Sequence, residues 1–342
     1  MSVSIIFMKS AGLICGLFIA SLFLFLLNCD LKNDAIQYTD SKNNKVELFT
    51  VEKGKGRPIV FIHGNSFDHS IWRKQFESKL SEKYRLIAYD LRGHGRSIKY
   101  KNKDKVSSQY SVKLHAEDLE QILKYYNLSE PIVVGWSLGG NIILHYLANN
   151  KNSKIGKAVI FGATPSFGLS GDKNYPGSAP SEKMKYILNE FLLKKNASDE
   201  AIIKFVKEAL SKNSDDDELS VSEIKRWAEV VSNTDGFARL GITDGLPQIS
   251  KDLADRKLDM SDEEFFSYNI IQVELLDKIA AIKTPVKIIL SENDMFSVDQ
   301  IQYSQKLNPK MFSASKPYKA GHAVFYNSPD IFYEELTRFI EN

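Results

Sequence analysis

Ile132-Val133-Val134-Gly135-Trp136-Ser137-Leu138-Gly139-Gly140 is the stretch on which the fold turns. A β-branched run enters a G-x-S-x-G sequence, and Ile142, Ile143, Leu144, Tyr146 and Leu147 follow at helical spacing. The pattern predicts a buried strand that turns directly into a helix at a serine. Such a turn is too tight for Cβ atoms at its flanks, hence Gly135 and Gly139. It holds the serine hydroxyl exposed, and the helix N-terminus beneath it favours negative charge developing there. Ser137 is therefore the candidate nucleophile.

A serine hydroxyl attacks poorly until a base takes its proton. Six histidines compete for that role. His145 and His115 fall inside helix patterns, and His69 reads as a surface or capping residue. His63 and His94 sit in loops and read as structural. His322, in Ala320-Gly321-His322, follows a strand pattern and precedes the closing helix. That places it at the carboxyl edge of a parallel sheet, beside Ser137, as the candidate base. Its second ring nitrogen needs an acceptor that fixes the tautomer and stabilises the imidazolium. Asp294, in the loop Ser291-Glu292-Asn293-Asp294 after a buried strand, completes the order serine, acid, histidine; Glu292 is the alternative. The tetrahedral intermediate needs donors placed in advance. These are the backbone N–H of Leu138 and that of Asn65, in His63-Gly64-Asn65-Ser66. No cofactor and no metal site is expected.

Outward from the serine turn, short apolar runs alternate with amphipathic stretches, as in a mostly parallel α/β sheet flanked by helices. Strands are predicted at 46–51, 58–62, 85–89, 132–135, 158–161, 286–290 and 311–318. Residues 45–164 and 281–342 form this core. Residues 165–280 carry helix patterns alone and read as a helical cap over the carboxyl edge of the sheet. Among Phe167, Tyr175, Tyr186, Phe191, Trp227 and Phe237, two or three are expected to line an acyl pocket. Gly54-Lys55-Gly56-Arg57 is a hairpin turn, not a phosphate loop, and Asp215-Asp216-Asp217-Glu218 is a solvated turn.

Residues 1–29 read as a targeting segment. Lys9 precedes an uncharged apolar run, Ala11 to Leu27, which ends Leu26-Leu27-Asn28-Cys29. That ending resembles a bacterial lipoprotein signal with Cys29 as the lipidated residue; an uncleaved anchor is the alternative, and Met8 is an alternative start. Residues 30–44, rich in Lys, Asn and Asp, are expected to be a flexible tether. A membrane-tethered body in a bacterial cell envelope follows. Of 342 residues, 45 are basic and 43 acidic, without a basic block, which argues against a nucleic-acid partner. The two cysteines, Cys15 and Cys29, lie in the first segment, so the body has no disulfide, cysteine nucleophile or thiolate metal site.

Taken together, these residues resemble the α/β-hydrolase superfamily from Val46 onward. Asp90-Leu91-Arg92-Gly93-His94-Gly95-Arg96-Ser97 is similar to the D-x-R-G-x-G-x-S loop of many members, in which His94 and Arg96 are structural. Within the superfamily the chain resembles the metal-independent N-acyl-homoserine lactonases and related carboxylesterases. The features are His63 to Ser66, Gly135 to Gly140, Thr234-Asp235-Gly236-Phe237-Ala238-Arg239 and Ala320-Gly321-His322-Ala323. The resemblance implies an acyl-enzyme mechanism on a small ester or lactone. The same triad also serves perhydrolases and acyltransferases, and a tethered binding protein without catalysis is the non-enzymatic alternative.

Overall fold

The computed structural model describes residues 31–100, 109–165, 186–192, 194, 196–213, 219–240 and 275–342. Its centre is an eight-stranded sheet in the order β1-β2-β4-β3-β5-β6-β7-β9. The strands are β1 (Lys32–Thr39), β2 (Lys45–Lys53), β3 (Arg57–Ile62), β4 (Tyr84–Tyr89), β5 (Ile132–Trp136), β6 (Lys157–Phe161), β7 (Val286–Ile289) and β9 (Phe312–Ala314). A separate two-stranded sheet pairs β8 (Ser291–Asn293) with β10 (Tyr318–Gly321). From β4 to β9 every pairing is parallel, and β2 joins β4 antiparallel. All five residues of β5 are buried, as expected of a parallel strand covered on both faces.

Three of the longer described helices begin on a serine cap whose side chain accepts a backbone N–H three residues on. These are α1 (Val112–Tyr125) after Ser111, α3 (Asp199–Leu210) after Ser198, and α4 (Val221–Ser232) after Ser220. The helix α2 (Leu138–Asn149) begins on Ser137 without such a bond. The chain closes with α5 (Pro329–Glu341). α1 packs on α2, α2 on β5 and β6, and α5 on β7. Between β6 and β7 the described elements are helical, with α3 packed on α4.

Three expectations are corrected. The Gly54-to-Arg57 turn joins β2 to β3, which flank β4 rather than pair with each other, so it closes no hairpin. The tether expected over residues 30–44 is instead, from Lys32 to Thr39, an edge strand paired with β2 along its whole length, Lys32 opposite Glu52 and Thr39 opposite Lys45. Ile36 is its one fully buried side chain, so its polar composition concealed it. Residues 40–44 close the hairpin, with Asp40 Oδ1 accepting the N–H groups of Lys42 and Asn44. The strand expected at 311–318 splits. β9 ends at Ala314, Ser315-Lys316-Pro317 crosses over, and β10 joins the second sheet. Residues 1–29, Asp215 to Glu218, Phe167 and Tyr175 lie outside the described residues.

The loop after β4 is fixed by a buried ionic network. Arg92, fully buried, donates through Nε to Asp118 Oδ2 at 2.8 Å and through Nη2 to Asp118 Oδ1 at 2.5 Å. Its Nη1 reaches Asp40 Oδ2 at 2.9 Å and the Gln109 carbonyl at 3.0 Å, and Nη2 also donates to the Tyr38 hydroxyl at 3.0 Å. One guanidinium thus joins the β1–β2 hairpin, the start of α1 and its middle. Burial would raise the pKa of Asp118, but the charge and hydrogen bonds of Arg92 together with His115 outweigh burial and bring it to about 2. The folded value lies below the ordinary 3.8, so this carboxylate contributes stability that is present in full above that value and lost as pH falls towards about 2. Asp118→Asn is accordingly expected to destabilise at neutrality and progressively less in acid. Urea unfolding of both proteins at about pH 7 and about pH 3 reads the gap, and a gap that does not narrow contradicts the pairing.

Candidate active site

Ser137 sits where β5 becomes α2, with φ 54° and ψ −119°, a left-handed backbone that a side-chain-bearing residue adopts at a cost. The turn is held by the Ser137 N–H, which donates to the Phe161 carbonyl at 2.9 Å. A Cβ on Gly139 would stand 2.2 Å from the Ile62 carbonyl oxygen, so only glycine lets α2 start so close to β3. Strain and packing together present the Ser137 hydroxyl at the carboxyl edge of the sheet, with no capping bond to occupy it.

The small second sheet brings the other two residues together. β8 and β10 run parallel with Asn293 opposite Gly321, so the next residue on each strand, Asp294 and His322, meet. His322 Nδ1 lies 2.8 Å from Asp294 Oδ1, and both side chains are buried. Asp294 Oδ1 also accepts the Phe296 N–H at 3.0 Å, which fixes the carboxylate. Glu292, the alternative acid, is exposed on β8. The Trp136 indole N–H donates to the His322 carbonyl at 3.1 Å, and Trp136 and Phe296 flank the imidazole. A Cβ on Gly162 would stand 2.6 Å from the imidazole Cε1, so this position admits the ring only as glycine.

Ser137, His322, Leu138 and Asn65 line one cavity of about 70 Å³. Its apolar wall includes Phe67, Phe205, Ile187, Leu192, Met295 and Phe296. Leu138 is the first residue of α2, whose N–H has no carbonyl one turn back to bond. Asn65 is held from the other side, on the loop after β3. The structure brings the five sequence-predicted residues together: a serine, an imidazole already paired with a carboxylate, and Leu138 and Asn65 in the same cavity lining.

A family model described as alpha/beta hydrolase fold matches residues 57–329. The chain belongs to the α/β-hydrolase fold family. Among curated relatives, a non-heme chloroperoxidase of Kitasatospora aureofaciens is 32% identical over 151 residues, 44% of this chain and 52% of that protein. The chain spans about half the length of the curated relatives it matches. Among solved structures, an esterase from Rhodococcus sp. ECU1013 superposes with a TM-score of 0.67 at 22% identity, covering 90% of this chain and 98% of that one. An N-acyl homoserine lactonase complexed with N-hexanoyl homoserine gives 0.64 at 21% identity, over 90% and 96%. These likenesses carry the fold.

Around this α/β-hydrolase site, the remaining histidines are spent on structure. His63 Nδ1 donates to the Gly64 carbonyl at 2.8 Å while Nε2 accepts the Leu91 N–H at 3.0 Å, and burial lowers its pKa. The ring is neutral and stitches the Asn65 loop to the loop after β4. His94 is buried between the Arg92 carbonyl and Asn65 Oδ1, and burial holds its pKa well below the usual range. His69 is no free surface residue. Although burial opposes its charge, the hydrogen bond to buried Asp90 at 2.7 Å raises its pKa. Asp68, His69 and Asp90 stand close enough to share a cation, yet Asp90 is occupied by His69 and the Arg96 N–H, and Asp68 by Ser70. His145 lies on α2, and burial with Lys278 and Lys113 nearby lowers its pKa to about 4.

The Thr234-to-Arg239 stretch docks onto the site. Thr234 Oγ1 donates to the Ser66 carbonyl at 3.2 Å, and the Asp235 N–H donates to the Gly93 carbonyl at 2.9 Å. Both loops behind Asn65 are thereby clamped from above. Of the expected pocket aromatics, the four among the described residues do not line the cavity. Phe205 lines the cavity, whereas Phe191 stacks behind it at 4.1 Å, and Trp227 donates to the Tyr326 hydroxyl at 3.0 Å. Tyr186 lies under Lys204, and Phe237 packs at the Tyr110–Ala238 cluster. Trp136 also faces the cavity. Phe205 was missed because its spacing on α3 is that of any core-facing phenylalanine.

Proposed function

We propose that the chain hydrolyses a carboxylic ester or lactone through an acyl-enzyme. The observation that carries this is an imidazole held by Asp294 at 2.8 Å in the same cavity as a strained serine whose hydroxyl is uncommitted. Ser137 Oγ attacks the substrate carbonyl and passes its proton to His322 Nε2, while the carbonyl oxygen becomes an oxyanion facing the Leu138 and Asn65 N–H groups. Collapse of this intermediate breaks the C–O bond, and the imidazolium returns the proton to the leaving alkoxide. Water then attacks the acyl-enzyme by the same route and releases the acid. In a lactone the alkoxide stays attached to the acyl group, so the product is a single hydroxy acid.

The apolar wall suits an acyl chain, and the helical segment between β6 and β7 acts as a cap that supplies it. The clamp from Thr234 and Asp235 supports the N-acyl-homoserine lactone reading, because it builds the stretch that carries the lactonase resemblance into the Asn65 loop. A likeness to a bifunctional esterase/perhydrolase of Acinetobacter calcoaceticus, 29% identical over 155 residues, favours a second reading, in which peroxide takes the acyl group in place of water. The apolar run Ala11 to Leu27 anchors the protein to a membrane of the bacterial envelope, either by that run itself or through lipid on Cys29.

Acid release from an N-acyl-homoserine lactone series and from linear chromogenic esters, with Ser137→Ala as control, tests the proposal. Lactone opening that depends on Ser137 supports the finer reading. Turnover of esters alone keeps the mechanism and discards the lactone. Peracid formation on adding peroxide, faster than hydrolysis, moves the assignment to a perhydrolase.

A further inference from the structure

Because β1 replaces the expected tether, little chain separates the apolar run from the folded body. Leu27 and Leu31 are four residues apart, at most about 14 Å of extended chain. Lys32 pairs with Glu52, so the chain enters beside the β2–β3 connection, at the amino end of the parallel strands. Whatever surface that edge carries is held close to the membrane.

That edge carries a row of cations, including Lys55, with Glu52, Glu77 and Glu82 among them at its β1 end. Lys32 opens β1, Lys53 ends β2, Arg57 opens β3 and Lys83 precedes β4. Beyond β5, where Glu130 is the exception, Lys154, Lys283 and Lys310 precede β6, β7 and β9. All are exposed except Lys53, which is half-buried. Lys83 is paired with Glu341, and Glu82 lies beside it. The row follows the sheet across seven inter-strand steps, about 34 Å. Residues far apart in sequence make it, which is why no basic block announced it.

We propose that this edge docks on an anionic lipid surface. The inference rests on the membrane-anchor reading above and adds an orientation to it. Charge complementarity supplies the attraction, and a separation of little more than a Debye length lets it act. Ser137, Asn65 and His322 stand at the opposite, carboxyl ends of their strands, so the cavity opens away from the bilayer and takes its substrate from the aqueous side.

The full-length protein in vesicles of phosphatidylcholine, alone or mixed with an equal part of phosphatidylglycerol, provides the test, with amine acylation of each lysine read by mass spectrometry. Lys55, Lys154, Lys283 and Lys310 are expected to be protected severalfold on the anionic vesicles relative to the neutral ones. Lys42 and Lys45, at the other end of the sheet, are expected to react equally on both. High salt should erase the difference. The triple variant Lys55→Glu, Lys283→Glu and Lys310→Glu should lose protection at Lys154 while keeping turnover of a soluble ester. Vesicle-bound protein with equal reactivity in both lipids overturns the docking surface and leaves the anchor standing. Protein that stays off both vesicles overturns the anchor as well. Protection of Lys42 and Lys45 instead would turn the cavity toward the bilayer, and protection by duplex DNA would make the edge a nucleic-acid surface; either result overturns the proposal.

Discussion

Ser137→Ala is expected to lower kcat by roughly 10⁴- to 10⁶-fold, and His322→Ala by a similar factor, with no multiplication in the double variant. The reason is chemical unity. Without the hydroxyl there is no atom to acylate, and without the imidazole the hydroxyl keeps its proton, so the second loss removes nothing further. Residual turnover comes from the oxyanion donors and binding. The same serine carries a structural cost. At φ 54° a side chain is strained by about 1–3 kcal/mol, and the hydroxyl does not cap its helix in return. Ser137→Gly should therefore abolish turnover while raising stability by about 1 kcal/mol, an opposition typical of a position kept for chemistry. Steady-state kinetics and urea unfolding on the four variants read both effects. A double variant whose loss is the product of the single losses would show that Ser137 and His322 do not act as a unit.

The parts of this site that could be read in sequence are those made by neighbours along the chain. The β5–Ser137–α2 turn is continuous, and each residue type in it answers a local need: β-branched strand, glycine flanks, apolar helix face. Strands buried on both faces were legible for the same reason. β1 was not, because an edge strand at solvent needs only its backbone pairing, and Lys32-Asn33-Asp34-Ala35-Ile36-Gln37-Tyr38-Thr39 offers one core side chain to announce it. The choice between Asp294 and Glu292 depended on a pairing between β8 and β10 that has no local signal. Two acids two positions apart share a face of an extended strand, and which of them lies beside His322 is fixed only by the pairing.

The same distinction explains why the row of lysines was missed. Net charge and charge runs are properties of the chain in order, whereas a sheet edge collects one residue from each strand in the spatial order β1-β2-β4-β3-β5-β6-β7-β9. A nearly neutral composition can therefore fold into a molecule with a basic end.

Arg92→Ala is expected to cost about 3–5 kcal/mol, the largest stability effect of any single change outside the apolar core. The guanidinium is fully buried against two buried carboxylates, Asp118 and Asp40. Removing it strands both in a medium that cannot solvate them, and also orphans the Gln109 carbonyl and the Tyr38 hydroxyl. Arg92→Lys should recover only part of the loss, because a single ammonium cannot bond both oxygens of Asp118 while reaching Asp40. Replacing the pair together, as Arg92→Met with Asp118→Leu, should cost less than Arg92→Ala, since no charge is then left alone on α1. The effect on catalysis should be indirect. Arg92 precedes Gly93 and His94, which brace Asn65, so a loosened loop weakens oxyanion binding without touching Ser137 or His322. Urea unfolding gives the stability ranking, and kcat at low temperature, where the variants stay folded, separates it from the chemistry. If the paired replacement is as costly as Arg92→Ala, the penalty does not lie in the stranded Asp118 carboxylate.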